Sequence, residues 1–260
     1  YITCRSRECS RPLFTGENIM NTLRDLTVKY DVDALELGYT KHYSEILEKN
    51  ISSDYNPKEQ FTKVLEIGVE TGRSHRLWLE YFHNAKVYGY DIFEYGVEEF
   101  HKLQKDNPYL DRSIMFKGDQ SNVDDIERFL SEHGSDFDMI IDDGGHTMKQ
   151  MQVSLNYLWN SLKSGGFYVI EDLHSCSNQW PWLYGYKVIE DGDTLTTDLL
   201  DSLSKKDNKI TETNYIPSQM LAKIREELDW CETRIGVEKY TNSKGQSYQW
   251  PTMLSFMRKK

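Results

Sequence analysis

The chain is short of several things. Only four cysteines stand among its 260 residues, Cys4, Cys9, Cys176 and Cys231, too few and too scattered for a disulfide framework. Cys4 and Cys9 are close neighbours, but no second Cys/His pair lies nearby to complete a zinc site, so a reducing, cytoplasmic compartment is the expectation. No apolar run approaches the ~20 residues of a membrane span, and no signal-peptide pattern opens the chain. Positive charge is scarce as well: 31 Lys and Arg against 42 Asp and Glu leave a net charge of −11. That balance argues against nucleic acid as the main partner, because the phosphate backbone is met by basic surfaces. Internal repeats and low-complexity segments are also missing. What remains is an ordinary globular composition, 38% hydrophobic, long enough for one large α/β domain or a domain with a decorating lobe. Aromatics are generous, with 17 tyrosines and 6 tryptophans. Aromatic surface suits stacking on sugars or other rings, although plain packing is its commoner use.

The apolar pattern divides the chain. Residues 15–30 and Tyr39–Asn50 carry helical spacing, and with the turn-rich SSDYNPKEQ they read as a helical N-terminal extension over 1–60. From Phe61 short strands alternate with helices. Strands are expected at Lys63–Ile67, Lys86–Tyr90, Ser113–Phe116, Phe137–Ile141 and Phe167–Ile170, with helices over 74–82, 123–132 and 147–162. The tail offers a helix over Ser218–Trp230 and strands near Thr233–Tyr240 and Met253–Met257. This alternation predicts an α/β fold: a mostly parallel, seven-stranded Rossmann-like sheet with helices on both faces, filling residues 61–260. Residues 176–215, with the QWPWLYGY cluster, break the pattern and read as an insertion or lid.

Ligands of parallel sheets sit at the carboxyl ends of the strands. Here those ends are acidic or glycine-rich: Glu66 and Gly68, Asp91, Asp119, Asp142 and Asp143, Glu171 and Asp172. LEIGVETG is a strand, a glycine loop and a helix start, a pattern that lets backbone approach a ligand closely and favours an anionic group at the helix N-terminus. Its G-x-x-x-G spacing lacks the middle glycine of a dinucleotide fingerprint, so NAD fits poorly. Asp91, ending the next strand, is placed to accept hydrogen bonds from ribose hydroxyls; its competing structural role is a helix N-cap.

The two acidic pairs, in DDGGH and EDLH, match a hard divalent cation such as Mg²⁺. Without one they would repel each other, and some would have to take up protons. The competing role is capping or plain solvation. His146 follows two glycines after Asp143, and beside a metal its unperturbed pKa of ~6.5 suits a general base. His174 is a second, less well placed candidate.

LEIGVETGRS followed by VYGYDI resembles motif I and the ribose-binding acid of class I S-adenosylmethionine (SAM)-dependent methyltransferases. The resemblance implies that Glu66, Gly68, Gly72, Ser74, Asp91 and Asp119 meet SAM, with Glu70 standing where a glycine is usual. DDGGH and GGFYVIEDLH, with LTVKYDVDALELGYTKHY ahead of them, resemble the metal-dependent macrolide-sugar O-methyltransferases of the mycinamicin and tylosin type, from about Leu26 to Cys176. Carried across by position, this resemblance makes Asp143, Glu171 and Asp172 the metal ligands and His146 the base, with Asp142 nearer SAM. It implies methyl transfer to a sugar hydroxyl on a carbohydrate acceptor, with vicinal hydroxyls chelating Mg²⁺. A catechol-type O-methyltransferase needs the same chelation and stays open, as does a non-catalytic SAM-fold module. The first residue is Tyr1, which reads as a domain drawn from a longer protein, fused to glycosyltransferase domains. The multidomain glycan-building enzymes of large chloroviruses, which end in a rhamnose-capping methyltransferase, are one precedent, although nothing in this sequence demands rhamnose.

Overall fold

The computed structural model describes residues 22–32, 38–49, 51–52, 54–176, 192–241 and 247–260. Strands β1 (Lys63–Ile67), β2 (Lys86–Asp91), β3 (Ser113–Lys117), β4 (Phe137–Asp142) and β5 (Leu162–Ile170) run parallel. β6 (Leu228–Thr241) and β7 (Ser247–Lys259) form a long hairpin whose β7 arm pairs antiparallel with β5. The sheet order is β3-β2-β1-β4-β5-β7-β6, the seven-stranded, mostly parallel sheet expected. Its order reverses between β1 and β4, and at such a reversal the crossovers leave to opposite faces and open a crevice above the strand ends.

Successive side chains of a strand point to opposite faces, and each face is apolar here. Leu65, Ile67, Tyr88, Tyr90, Ile140, Tyr168 and Ile170 share a core with α6 (Val123–His133), α7 (Met148–Leu158), α8 (Thr196–Ser204) and α9 (Ser218–Glu227). Val64, Val87, Met139, Ile141, Phe167 and Val169 share the other with α1 (Leu23–Tyr30), α2 (Tyr39–Leu47) and α4 (Arg73–Tyr81). The described part of the N-terminal extension therefore packs into the same core as the sheet. A reciprocal capping box between Thr22 and Asp25 starts α1 and turns Leu23 and Leu26 inward, satisfying amide groups that would otherwise lack partners.

Several elements differ from the sequence expectation for identifiable reasons. The linker SSDYNPKEQ contains a one-turn helix, α3 (Pro57–Gln60), started by the Asn56 side chain and by Pro57 at its first position. α5 (Val97–Lys105), which buries only Phe100, was not expected. α7 stops at Leu158, and a 3₁₀ turn over Trp159–Ser161 leads directly into β5, which starts at Leu162. The tail helix ends at Glu227 because Leu228 already belongs to β6. The expected lid also changes character. In residues 192–215 it contains α8, whose Leu199, Leu200 and Leu203 are buried in the core. The QWPWLYGY cluster, Cys4 and Cys9 lie outside the described residues. No described helix is long and apolar enough to cross a membrane.

Closure of the crevice rests on Gly68. Its φ is +85°, and a Cβ there would stand 2.0 Å from the Asp143 carbonyl oxygen. Gly165 has a similar φ of +79° but nothing within 4 Å of a Cβ. Left-handed backbone costs an L-residue about 1–2 kcal/mol, and overpacking adds about 1–3. Gly165→Ala is therefore expected to lose only the first amount in urea denaturation and Gly68→Ala the sum; equal losses would mean that the β1–β4 contact yields.

Candidate active site

The crevice holds a cavity of about 780 Å³. Of the residues expected at the site, Gly68, Ser74, Asp91, Asp119, Asp143, His146 and Asp172 line it, whereas Glu66, Gly72, Asp142 and Glu171 do not.

At one end of the cavity the acid after β2 ties the glycine loop down. Asp91 accepts hydrogen bonds from the backbone N–H of Val69 at 2.7 Å and of Glu70 at 3.0 Å through one oxygen, and from Phe93 at 2.5 Å through the other. It is not a helix N-cap, since Gly96 caps α5. Glu70, in the usual glycine place, takes the left-handed conformation that glycine would adopt freely, with φ +46°. The third acid, Asp119, accepts from Ser121 N–H at 2.8 Å, and its own N–H donates to Asp125 at 3.0 Å. Ile92 and Tyr95 also line this end and are exposed at 36% and 70%. Apolar side chains left open beside a polar cavity offer faces for a flat ring. Sequence reading passed over them, although Ile92 directly follows the strand-end acid. Arg73, also unnoticed, spans the mouth and pairs with Asp31 and Glu99 at 2.7 Å each.

Strand alternation explains three of the four absentees, and a helix cap the fourth. Glu66 points to the α4 face, where it is buried at 2.9 Å from His75 Nδ1, while His75 Nε2 lies 3.0 Å from Ser113 Oγ. Gly72 caps α4 with φ +82° and backs onto Phe100 rather than the cavity. Asp142 points beneath α7, wholly buried, and accepts from Gln120 Nε2 at 2.8 Å and from Ser154 Oγ. Burial pushes its carboxyl up to about 6, and these hydrogen bonds oppose the shift. Glu171 points to the α2 face, buried, and accepts a hydrogen bond from the Tyr43 hydroxyl. It lines a smaller neighbouring cavity with Glu66, Asp143 and Asp172.

At the other end Asp143, His146 and Asp172 bring ligand atoms within 4.8 Å of one another. The His146 Nε2 lies 3.5 Å from Asp172 Oδ2. A capping box between Thr147 and Gln150 starts α7 immediately after His146 and fixes where that side chain emerges. Asp172 has φ +52°, and this left-handed turn re-aims a carboxylate that strand alternation would send to the α7 face. Its Oδ1 accepts from the Tyr39 hydroxyl at 2.8 Å. His174 Nδ1 stands 4.0 Å from the same oxygen, and burial pushes its imidazole below its usual range. Two carboxylates and an imidazole facing one open cavity fit a hard divalent cation. The cluster differs from the expected metal set by containing His146 in place of Glu171.

Residues 65–173 match the sequence profile of a family described as "Methyltransferase domain". The chain is 34% identical to the 8-demethyl-8-(2-methoxy-alpha-L-rhamnosyl)-tetracenomycin-C 3'-O-methyltransferase of Streptomyces olivaceus, over 45% of this chain and 29% of that one. It is 30% identical to the mycinamicin VI 2''-O-methyltransferase of Micromonospora griseorubida, over 64% and 38%. The matches thus span less than half the length of these curated relatives. Among solved structures, the MycE methyltransferase of the mycinamycin biosynthetic pathway, in complex with Mg, SAH and mycinamycin VI, superposes with a TM-score of 0.61 at 23% identity, covering 93% of this chain and 54% of that one. This likeness identifies the fold as the Rossmann-like class I methyltransferase fold.

Within the matched span, Gln120 couples the two ends of the cavity. Its Nε2 donates to Asp142, and its Oε1 accepts from the Gly145 N–H at 2.6 Å, so one buried amide holds both β4 and the loop that leads to His146. Gln120→Ala leaves a buried carboxylate and a loop N–H short of a partner, which is expected to cost about 1–3 kcal/mol in urea denaturation. An unchanged midpoint would mean that the loop is held by other contacts.

Proposed function

We propose that this chain is a SAM- and divalent-cation-dependent O-methyltransferase that acts on a sugar hydroxyl. The observation that carries the reading is the joining of two unlike half-sites in one cavity. One half is a glycine loop tied by Asp91, with Asp119 and the open faces of Ile92 and Tyr95 nearby. The other is the cluster of Asp143, His146 and Asp172. The first has the form of a nucleoside cradle and the second that of a hard-cation site, and metal-assisted alkylation of a hydroxyl needs both.

When bound, SAM supplies a methyl group on a sulfonium, and the cation supplies charge that lowers the pKa of a neighbouring hydroxyl. Gly68 and the Val69–Glu70 backbone shape the cradle, Asp91 and Asp119 take the ribose and adenine ends, and Ser74 lies at the methionine end. Asp143 and Asp172 would hold the cation, and Glu171, held by Tyr43 in the neighbouring cavity that Asp143 and Asp172 also line, would be the third carboxylate. His146 Nε2 accepts the proton of the acceptor hydroxyl, and Asp172 Oδ2 beside it steadies the imidazolium that results. For this role His146 must stay off the cation, since a ligated nitrogen cannot take a proton. Alignment of the oxygen with the methyl carbon is the other requirement for an in-line displacement. The relatives' names point to sugar hydroxyls of glycosylated natural products, which favours a carbohydrate acceptor over a catechol.

Calorimetric titration with SAM, with and without Mg²⁺, tests the cradle. Asp91→Ala is expected to weaken binding about 10- to 100-fold, by losing the charge-assisted bonds that shape the loop as well as the ribose contact. His146→Ala and Asp143→Ala are expected to lower turnover of a rhamnosyl or related deoxysugar glycoside by about 10²–10⁴-fold, with SAM affinity within a few-fold of the parent. No SAM binding would discard the methyltransferase reading in favour of a non-catalytic module. Methylation of a catechol but of no sugar would reassign the acceptor.

A further inference from the structure

We infer that Tyr39 and Tyr43, on a helix before the methyltransferase domain, are positioning residues that aim the Glu171 and Asp172 carboxylates at the cation site. This inference rests on the divalent-cation reading above.

The two phenols lie one helical turn apart on α2, so they project from the same face. Their partners are consecutive residues at the end of β5. An extended strand would send Glu171 and Asp172 to opposite faces of the sheet, and one helix could not touch both. The φ of +52° at Asp172 removes that obstacle by swinging its carboxylate round. Tyr43 donates to Glu171 Oε1, and Tyr39 donates to Asp172 Oδ1 at 2.8 Å.

Tyr39 also holds the backbone that makes this turn. The N–H groups of Asp172 and of Met253, on β7, both donate to its hydroxyl oxygen at 3.3 Å. One buried hydroxyl therefore pins the strained residue at its amide and at its carboxylate, and it ties both to the antiparallel hairpin. With Oδ1 engaged, Asp172 presents Oδ2 to the cavity, where His146 Nε2 stands 3.5 Å away. The phenol thus selects which oxygen faces the site.

The helix is well placed to do this because its own position is fixed by rings and charge. The Tyr43 ring packs 5.1 Å from Trp78 and 5.2 Å from Phe256, and Glu45 on the same helix pairs with Arg234 of β6 at 2.6 Å. Replacing either hydroxyl by hydrogen would leave these ring contacts in place, so the phenylalanine variants separate the aiming role from packing. Partners of this kind, hydrogen-bonded to metal-binding side chains, typically change metal affinity 10- to 100-fold when removed.

The test is Mn²⁺ binding followed by the loss of the free-ion electron paramagnetic resonance signal, on the full chain without acceptor. Tyr39→Phe and Tyr43→Phe are each expected to weaken Mn²⁺ binding about tenfold or more, with metal-free SAM affinity changed less than twofold. Tyr81→Phe removes another buried phenol that touches neither carboxylate, and it should bind Mn²⁺ as the parent does. If the parent binds Mn²⁺ and Tyr39→Phe and Tyr43→Phe match it, the positioning role is wrong while the cation reading stands. If the parent itself binds no Mn²⁺, the cation reading fails and takes this inference with it. A loss in Tyr81→Phe equal to the other two would also overturn it, by showing that any buried phenol on this side matters as much.

Discussion

Like charges gathered at one edge of a sheet are the constraint on which the rest of this structure depends. Parallel strands all end on the same rim, and here nearly every strand end is acidic. Burying or crowding such carboxylates is costly unless each is given a partner. The protein answers acid by acid. Glu66 receives His75, Asp91 receives three backbone N–H groups, Asp142 receives Gln120 and Ser154, Glu171 receives Tyr43, and Asp172 receives Tyr39 and faces His146. The partners come from helices on both faces and from the glycine loop, so the surrounding architecture is organised around satisfying this rim.

The partners sort the acids by chemistry. Acids given neutral or backbone donors deep in the fold, such as Asp142, become struts that hold loops. Asp143 and Asp172 line the open cavity. The division follows strand parity: Glu66 and Glu171 share the face covered by α1, α2 and α4, and Asp142 lies on the α7 face. Asp172 escapes that rule through its left-handed turn, and it joins Asp143 at one end of the cavity.

Much of this was legible in the sequence. The β/α alternation from Phe61 and the acidic strand ends locate the sheet and its rim, because short apolar runs and glycine turns report backbone geometry directly. Which acids face the rim was not read, although period-2 alternation along KVLEI, FDMII and FYVI carries that information. The left-handed turn at Asp172 was not legible, since an aspartate tolerates that conformation without a sequence mark. α5 and α8 were both missed. α5 carries Val97, Phe100 and Leu103 at helical spacing but buries only Phe100, and α8 stands in a stretch whose acidic flank EDGDTLTTD masked the leucines that enter the core.

The span that resembles known methyltransferases, residues 65–173, contains every member of the cluster Asp143, His146 and Asp172. It contains none of the phenols that reach Glu171 and Asp172. Those come from α2, which begins at Tyr39 and reaches the rim only because Tyr43 is wedged between Trp78 of α4 and Phe256 of β7. A boundary drawn by sequence likeness at residue 65 thus cuts through a hydrogen-bonded unit. The helices ahead of the domain share its core and hold its acids, so the smallest piece of this chain that can present the cluster in this arrangement includes them.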